Sequence, residues 1–168
     1  VFAPANVVLQ GHAKSLAATF QTLGISADQV VRGMLHETLG KGGLRLDVDP
    51  DKVSALVATE APLDVVVALP DSGADPLIAV AVGLRSVDDA KTALNANQEL
   101  APGMWSFGGE KAKAVCVVAA STGLVQGRMI CGPGERDIKA LGPWLARGAS
   151  SLPNVSDASF DIDLKPVE

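Results

Sequence analysis

Two pairs of short apolar runs constrain the fold of this chain more than any other feature. The first pair is "LDVVVALP" (63–70) and "PLIAVAVGL" (76–84), and the second is "KAVCVVAAS" (113–121) and "LVQGRMICG" (124–132). Each run has the length and the β-branched content of a strand, and turn-forming sequence separates the two members, so each pair predicts a β-hairpin. The runs are also far shorter than a membrane-spanning helix requires. We therefore expect no transmembrane segment.

Helix signals occupy the sequence between the strands. Asp49 followed by Pro50 predicts a helix start in "DPDKVSALVAT", and Ser86 is a predicted N-cap in "SVDDAKTALNANQEL". Apolar residues at helical spacing predict further helices in "HAKSLAATFQTLG" and "SADQVVRGMLHETLG". The stretch "PGERDIKALGPWLARG" predicts a helix that is interrupted or ends near Pro143. We expect one α+β domain over residues 1–168, a mainly antiparallel sheet with helices packed largely on one face.

Three stretches share the order strand, polar link, helix: "VVLQGHAKSLAATFQTL", "IAVAVGLRSVDDAKTAL" and "GRMICGPGERDIKALGPWL". Repeated strand–helix units would explain this order, and so would chance, because the order is common in α/β sequences. Both explanations stay open. The stretch "ASFDIDLKP" predicts a last strand.

The only two cysteines lie in the second predicted hairpin. A turn on Gly123 and Leu124 would place Cys116 directly opposite Cys131, at a Cβ separation suited to a disulfide. A three-residue turn ending at Gly123 would shift the register and weaken the pairing, so two buried free thiols remain an alternative. Two cysteines alone do not make a structural metal site. A disulfide would indicate an oxidising compartment, the periplasm or the cell exterior.

The composition bears on the kind of partner. The net charge is −5, and no cluster of Lys and Arg is present to neutralise phosphates, which disfavours nucleic acid. Tyrosine is absent and aromatic residues make up 4% of the chain, so platforms for stacking bases or sugars are not expected. We expect the partner to be another protein or an envelope component.

The sequence "DVDPDK" spaces Asp47, Asp49 and Asp51 like the start of a calcium loop. Lys52 stands where such a loop needs glycine, and Ala58 stands where it needs a bidentate glutamate. A helix N-cap explains the same residues, so we expect no metal.

The sequence "CGPGERD" resembles a dinucleotide-binding fingerprint in part. It contains Gly132 and Gly134, but Asp137 replaces the third glycine, and acidic residues at that helix end would repel a pyrophosphate. We expect no cofactor.

Catalytic signals are few. A Ser-His-Asp site would have to use His12 or His36, and no Gly-x-Ser-x-Gly motif is present. His12 lies at a strand-to-helix link without a recognisable partner, whereas His36 lies in a predicted amphipathic helix. We expect a non-catalytic protein. The alternative is a small-ligand-binding domain or hydrolase that uses loop residues near His12 or between Gly132 and Asp137.

Trp105 and Trp144 are the only tryptophans, and each lies near the end of a predicted element. A tryptophan in such a position usually covers an edge of the core. Both are also candidate anchors for a partner.

The opening "FAPANVVLQGHAKSLAATFQTLG" resembles the first unit of large secreted bacterial proteins of unknown function, which begin with a Leu-Pro-Ala-Asp-Ala-like phrase. "GLRSVDDAKTAL" resembles their internal strand-to-helix unit, and "GRMICGPGERDIKALGPWLARG" resembles Ala-rich lipoproteins of myxobacteria and their relatives. The chain departs from that pattern at Phe2 and Asn6, where Leu and Asp are usual. The resemblance implies an envelope location and a non-catalytic α+β scaffold, and it carries over no functional residues.

These observations predict a non-catalytic binding or structural module of an exported bacterial cell-envelope protein, with or without a lipid anchor. We expect it to be periplasmic, associated with the outer membrane or extracellular, and to be a fragment of a longer exported protein.

Overall fold

The computed structural model describes residues 7–13, 15–21, 24–39, 48–70, 74–108, 112–122, 125–147 and 158–162. The strands are β1 (Val7–Ala13), β2 (Leu63–Ala68), β3 (Leu77–Leu84), β4 (Gln98–Ala101), β5 (Met104–Phe107), β6 (Val115–Ala120), β7 (Gly127–Gly132) and β8 (Ala158–Ile162). The helices are α1 (Leu16–Gln21), α2 (Ala27–Leu39), α3 (Pro50–Leu56), α4 (Val87–Ala93) and α5 (Glu135–Arg147).

The eight strands form one sheet in the order β4-β5-β6-β7-β3-β2-β1-β8, and every pairing is antiparallel. The α+β class and the mainly antiparallel sheet are confirmed. Both predicted hairpins are present, as β2–β3 and β6–β7. The strand predicted in "ASFDIDLKP" is β8, and it pairs with β1 at one edge of the sheet.

The helices cover the two faces of the sheet unequally. Buried residues of α2, α3 and α4 share one core cluster with Cys116 and Val118 of β6. The next residue of the same strand, Val117, points the other way and belongs to a second cluster with Ile138, Leu141 and other residues of α5. The predicted placement of helices largely on one face holds for α2 to α4, while α5 packs against the opposite face. Apolar residues at successive positions of β6 made both faces available for burial.

Local sequence explains where several helices begin and end. Asp49 caps α3 by accepting a hydrogen bond from Asp51 N, and Ser86 caps α4 by accepting one from Asp89 N, as predicted. The helix predicted over "SVDDAKTALNANQEL" is shorter than expected, because Asn95 adopts a left-handed conformation (φ 51°) and β4 follows. In contrast, α5 continues through Pro143 to Arg147. The carbonyl that loses its hydrogen-bond donor there belongs to exposed Lys139, where water can replace it.

Two glycines allow α5 to approach the sheet closely. A Cβ on Gly142 would lie 2.8 Å from Met104 Sδ on β5, and a Cβ on Gly132 of β7 would lie 3.1 Å from the Cβ of Asp137 in the first turn of α5. Larger residues would force the helix away from the strands. The sequence therefore sets the helix–sheet separation at these positions.

The three stretches with a common pattern do form strand, link and helix, as β1–α1, β3–α4 and β7–α5. However, α4 and α5 lie on opposite faces of the sheet. Duplication of a single unit stays a hypothesis.

Candidate functional site

The two cysteines form a disulfide between neighbouring strands. Cys116 on β6 is the direct register partner of Cys131 on β7, and the two Sγ atoms are bonded at 2.08 Å. Their Cα atoms are 4.1 Å apart, close to the spacing of a non-hydrogen-bonded antiparallel pair. The predicted register is confirmed, including Ala120 opposite Gly127. The turn residues on which that prediction depended, Gly123 and Leu124, lie outside the described residues.

A group of buried polar side chains lies on the opposite face of the sheet. Asp64 and Arg128 are fully buried, and His12 is 8% exposed. The Nδ1 atom of His12 lies 2.5 Å from Oδ1 of Asp64, and Nη1 of Arg128 donates a hydrogen bond to Oδ2 of the same carboxylate. Each carboxylate oxygen thus has its own partner. We call these three residues the buried polar triad.

The register of three strands explains how the triad forms. His12 on β1 is the direct partner of Asp64 on β2, so their side chains share a face. Arg128 on β7 instead reaches diagonally across β3, where the residues on that face are Ala81 and Gly83. Gly83 is the direct partner of Arg128, and a Cβ there would overlap the Cβ of Ala61. The space over Gly83 is therefore occupied by Ala61, which packs closely against β3 there.

The triad is also connected to the C-terminal end of α5. Nη1 of Arg128 donates to the carbonyl oxygen of Leu145 at 3.3 Å. The next two carbonyl oxygens, those of Ala146 and Arg147, accept hydrogen bonds from the hydroxyls of Ser121 and Thr122. The last carbonyls of a helix have no partner within the helix and carry partial negative charge, so a cation and two hydroxyl donors stabilise this end.

Arg128 is not fully satisfied by these contacts. Its Nε and Nη2 atoms are buried and have no hydrogen-bond partner in the described part of the chain. A buried donor without an acceptor costs free energy. Arg128 is therefore a buried side chain whose hydrogen-bond donors are only partly used by the described residues.

Ser159 extends the polar row beyond the triad. This half-buried residue of β8 is the direct partner of His12, so serine, histidine and aspartate follow one another on three neighbouring strands and one face. Sequence reasoning singled out His12 but missed its partners. The available signal was a lone charge within each predicted buried strand: Asp64 in "LDVVVALP" and Arg128 in "LVQGRMICG".

The two tryptophans have different surroundings. Trp144 is 4% exposed and packs in the core between α5 and the sheet, so a partner would have to open that core to contact it. Trp144 is therefore part of the core and is not an anchor on the surface of the folded protein. Trp105 on β5 is half-buried, and Nζ of Lys91 lies 3.5 Å from its ring centroid. Its role as an anchor stays a prediction.

The loop between Gly132 and Asp137 has a structural role. Asp137 is buried, and its Oδ1 accepts a hydrogen bond from the backbone N–H of Ile78 at 2.9 Å. The carboxylate thereby ties the first turn of α5 to β3. His36 is exposed on α2, and its Nε2 lies 3.3 Å from Oδ1 of Asp51, a different carboxylate from the one that His12 contacts.

The described residues contain no group of three or more His, Cys, Asp or Glu side chains arranged to hold a metal ion. Of the calcium-loop candidates, Asp49 caps α3, Asp51 pairs with residues of α2, and Asp47 lies outside the described residues. Over the same described ranges, no helix combines the length and apolar character needed to cross a membrane.

Comparisons with protein-family models, with curated proteins and with solved structures give no match. The function must therefore be argued from the chemistry of the site itself.

Proposed function

We propose that this chain is a non-catalytic binding or structural module of an exported bacterial cell-envelope protein. The observation that carries the proposal is the Cys116–Cys131 disulfide. Disulfides persist in the periplasm and outside the cell, whereas thiols are kept reduced in the cytosol. Its partner is another protein or an envelope component.

Two further observations support a binding or structural role. The buried polar triad directs its charges toward one another and toward the end of α5, an arrangement that fixes the fold. The acidic net charge of −5 disfavours nucleic acid and anionic lipid surfaces as partners.

The oxidation state of the cysteines tests the proposal. The protein is produced by export to a bacterial periplasm, denatured with an alkylating agent, and measured by intact mass with and without prior reductant. We expect no alkylation without reductant and two alkylated cysteines after reduction. Two cysteines that alkylate without reductant in exported protein would contradict the envelope assignment, because the disulfide is its basis.

A second candidate function, hydrolysis, is favoured by one observation. His12 pairs with Asp64 at 2.5 Å on one side, and Ser159 is its register partner on the other strand. Serine, histidine and aspartate in that order are the groups of a nucleophilic hydrolase, in which the aspartate orients the histidine.

A fluorophosphonate probe separates the two candidates. If Ser159 is a nucleophile, its Oγ attacks phosphorus and displaces fluoride, while His12 takes the hydroxyl proton. Hydrolysis predicts labelling of the folded protein that is lost in both Ser159→Ala and His12→Gln. A binding or structural module predicts no labelling of Ser159, with Ser156→Ala and Ser159→Ala indistinguishable from the parent.

A further inference from the structure

A cleft of about 380 Å³ lies between the C-terminal half of α5 and the ends of β5 and β6. This volume is within the range of about 300–1,000 Å³ found for small-molecule sites. Its walls are mainly small or aliphatic, and the residues that line it include Pro102, Met104, Ala119, Ala120, Pro143 and Ala146.

The cleft exists because the facing residues are small. Ala119 on β6 and Ala146 on α5 oppose each other where larger side chains would fill the space. At Gly142, one turn earlier, α5 lies so close to β5 that an added Cβ would come within 2.8 Å of Met104 Sδ, which limits how far the helix can move toward the sheet. The gap is therefore a consequence of the packing and is not removed by a small shift of α5.

The charge around the cleft has one sign. Arg147 lines it, is exposed, and forms no ion pair among the described residues. No acidic side chain is among the described residues that line the cleft. In a protein of net charge −5, this is a local preference for an anion.

We propose that this cleft binds a fatty carboxylate, with the aliphatic tail against the alanine, proline and methionine walls and the carboxylate on Arg147. The inference rests on the proposed function as a binding module and names the ligand class for it. An aliphatic tail suits walls without aromatic lining, and a carboxylate accepts the paired N–H donors of a guanidinium. The hydroxyls of Ser121 and Thr122 are engaged by the end of α5, which leaves Arg147 as the group that recognises the charge.

Titration of the whole chain with hexanoate, octanoate and decanoate, followed by heteronuclear NMR, tests the proposal. Affinity is expected to rise about fourfold per methylene, which is the transfer free energy of one buried CH₂ expressed as a ratio. Shifts should be confined to β5, β6 and the last two turns of α5. Equal affinities along the series, or shifts spread over the surface, would overturn the proposal.

The charge contribution is tested with Arg147→Gln and a matched variant, Lys139→Gln, which removes the same charge from the same helix outside the cleft. We expect Arg147→Gln to weaken decanoate about tenfold, the effect of losing a hydrogen bond to a charged group, and to leave decanol unchanged. Lys139→Gln should bind decanoate and decanol with the same affinities as the parent. Equal losses in the two variants would show that the site does not recognise the carboxylate through Arg147.

A peptide ending in leucine is the competing occupant. If it binds the cleft while decanoate does not, the fatty-carboxylate assignment is wrong. The disulfide experiment is independent of this one. Oxidised cysteines together with no decanoate binding would reject the ligand and keep the proposed module, whereas free cysteines would reject the module itself.

Discussion

Strand β7 carries two cross-strand connections of opposite character, three residues apart and on opposite faces of the sheet. Cys131 joins β7 covalently to its hairpin neighbour β6, at a sequence separation of only 15 residues. Arg128 joins β7 by charge to Asp64, 64 residues away on β2, and to the end of α5. One connection closes a local loop, while the other joins β7 to a strand 64 residues away and to the end of the helix that follows β7.

The difference determines what happens when each connection is cut. A disulfide acts mainly by limiting the unfolded chain, so its removal leaves the native core intact and costs an amount set by the loop length. A buried charge pair behaves otherwise, because removing one member leaves the other charged, desolvated and without a partner. We therefore expect the ionic connection to be the more sensitive of the two to a single substitution.

Asp64→Ala is expected to have the largest effect. It leaves the fully buried Arg128 without its carboxylate, and breaking a buried pair in this way costs about 3–5 kcal/mol in the free energy of unfolding. Urea denaturation followed by circular dichroism measures it. The double variant Asp64→Ala/Arg128→Met should recover much of the loss, since no orphaned charge remains.

A matched control is Asp88→Ala, an exposed aspartate in the first turn of α4. It should change the free energy of unfolding by no more than about 1 kcal/mol, the scale of a helix-dipole effect. If Asp64→Ala lowers the free energy of unfolding no more than Asp88→Ala does, the buried polar triad does not stabilise the fold.

Replacing both cysteines, as Cys116→Ala/Cys131→Ala, is the second largest expected effect. Opening a loop of 15 residues is expected to cost about 3 kcal/mol. The midpoint of urea unfolding should be lower for the variant than for the parent. Reductant should lower the midpoint of the parent by a similar amount and leave the midpoint of the variant unchanged. A parent that is insensitive to reductant would contradict a stabilising disulfide.

The disulfide could be predicted from the sequence alone, whereas the buried polar triad could not. The disulfide followed from a hairpin register, because both cysteines lie in neighbouring runs and alternation fixes which residues share a face. The triad could not be found in this way, since its members come from β1, β2 and β7, and only the order of strands in the sheet brings them together. His12 lies at the end of a predicted strand, but no residue near it in the sequence indicates that it contacts Asp64.

The placement of the helices likewise depends partly on local sequence and partly on tertiary packing. The helix starts at Asp49 and Ser86 are local signals, and the structure has both. That α5 packs on the face opposite to α2, α3 and α4 depends on which side of β6 and β7 each helix reaches after its loop, and tertiary packing decides this.

Gly83→Ala is the third expected effect and probes the close approach of Ala61 to β3, beside the strand that carries Arg128. The added methyl would overlap the Cβ of Ala61, so the backbone must shift, at a cost of about 1–3 kcal/mol. The control is Gly33→Ala in α2, where a Cβ meets nothing within 4 Å. That change should stabilise the protein by about 0.5–1 kcal/mol, because alanine is the better helix former. Opposite signs for the two variants, measured by thermal denaturation, are the expected result, and equal signs would contradict the close approach at β3.

Ser121→Ala is expected to have the smallest effect and asks which connection holds the end of α5. The Ser121 hydroxyl donates to the carbonyl oxygen of Ala146 at 2.8 Å, next to the carbonyl that accepts from Arg128. Its loss should cost about 1 kcal/mol, the net value of one hydrogen bond. A control is Ser106→Ala, whose hydroxyl bonds to Gln98 in an exposed hairpin, where water replaces the lost partner.

Amide hydrogen exchange at the last turn of α5 separates the contributions. If Arg128 is the main support of that helix end, Ser121→Ala should speed exchange there only slightly, and Asp64→Ala should speed it more, because the guanidinium is then no longer held in place. If Ser121→Ala alone releases the last turn, the hairpin that carries the disulfide supports α5. The ionic connection would then be confined to the strands.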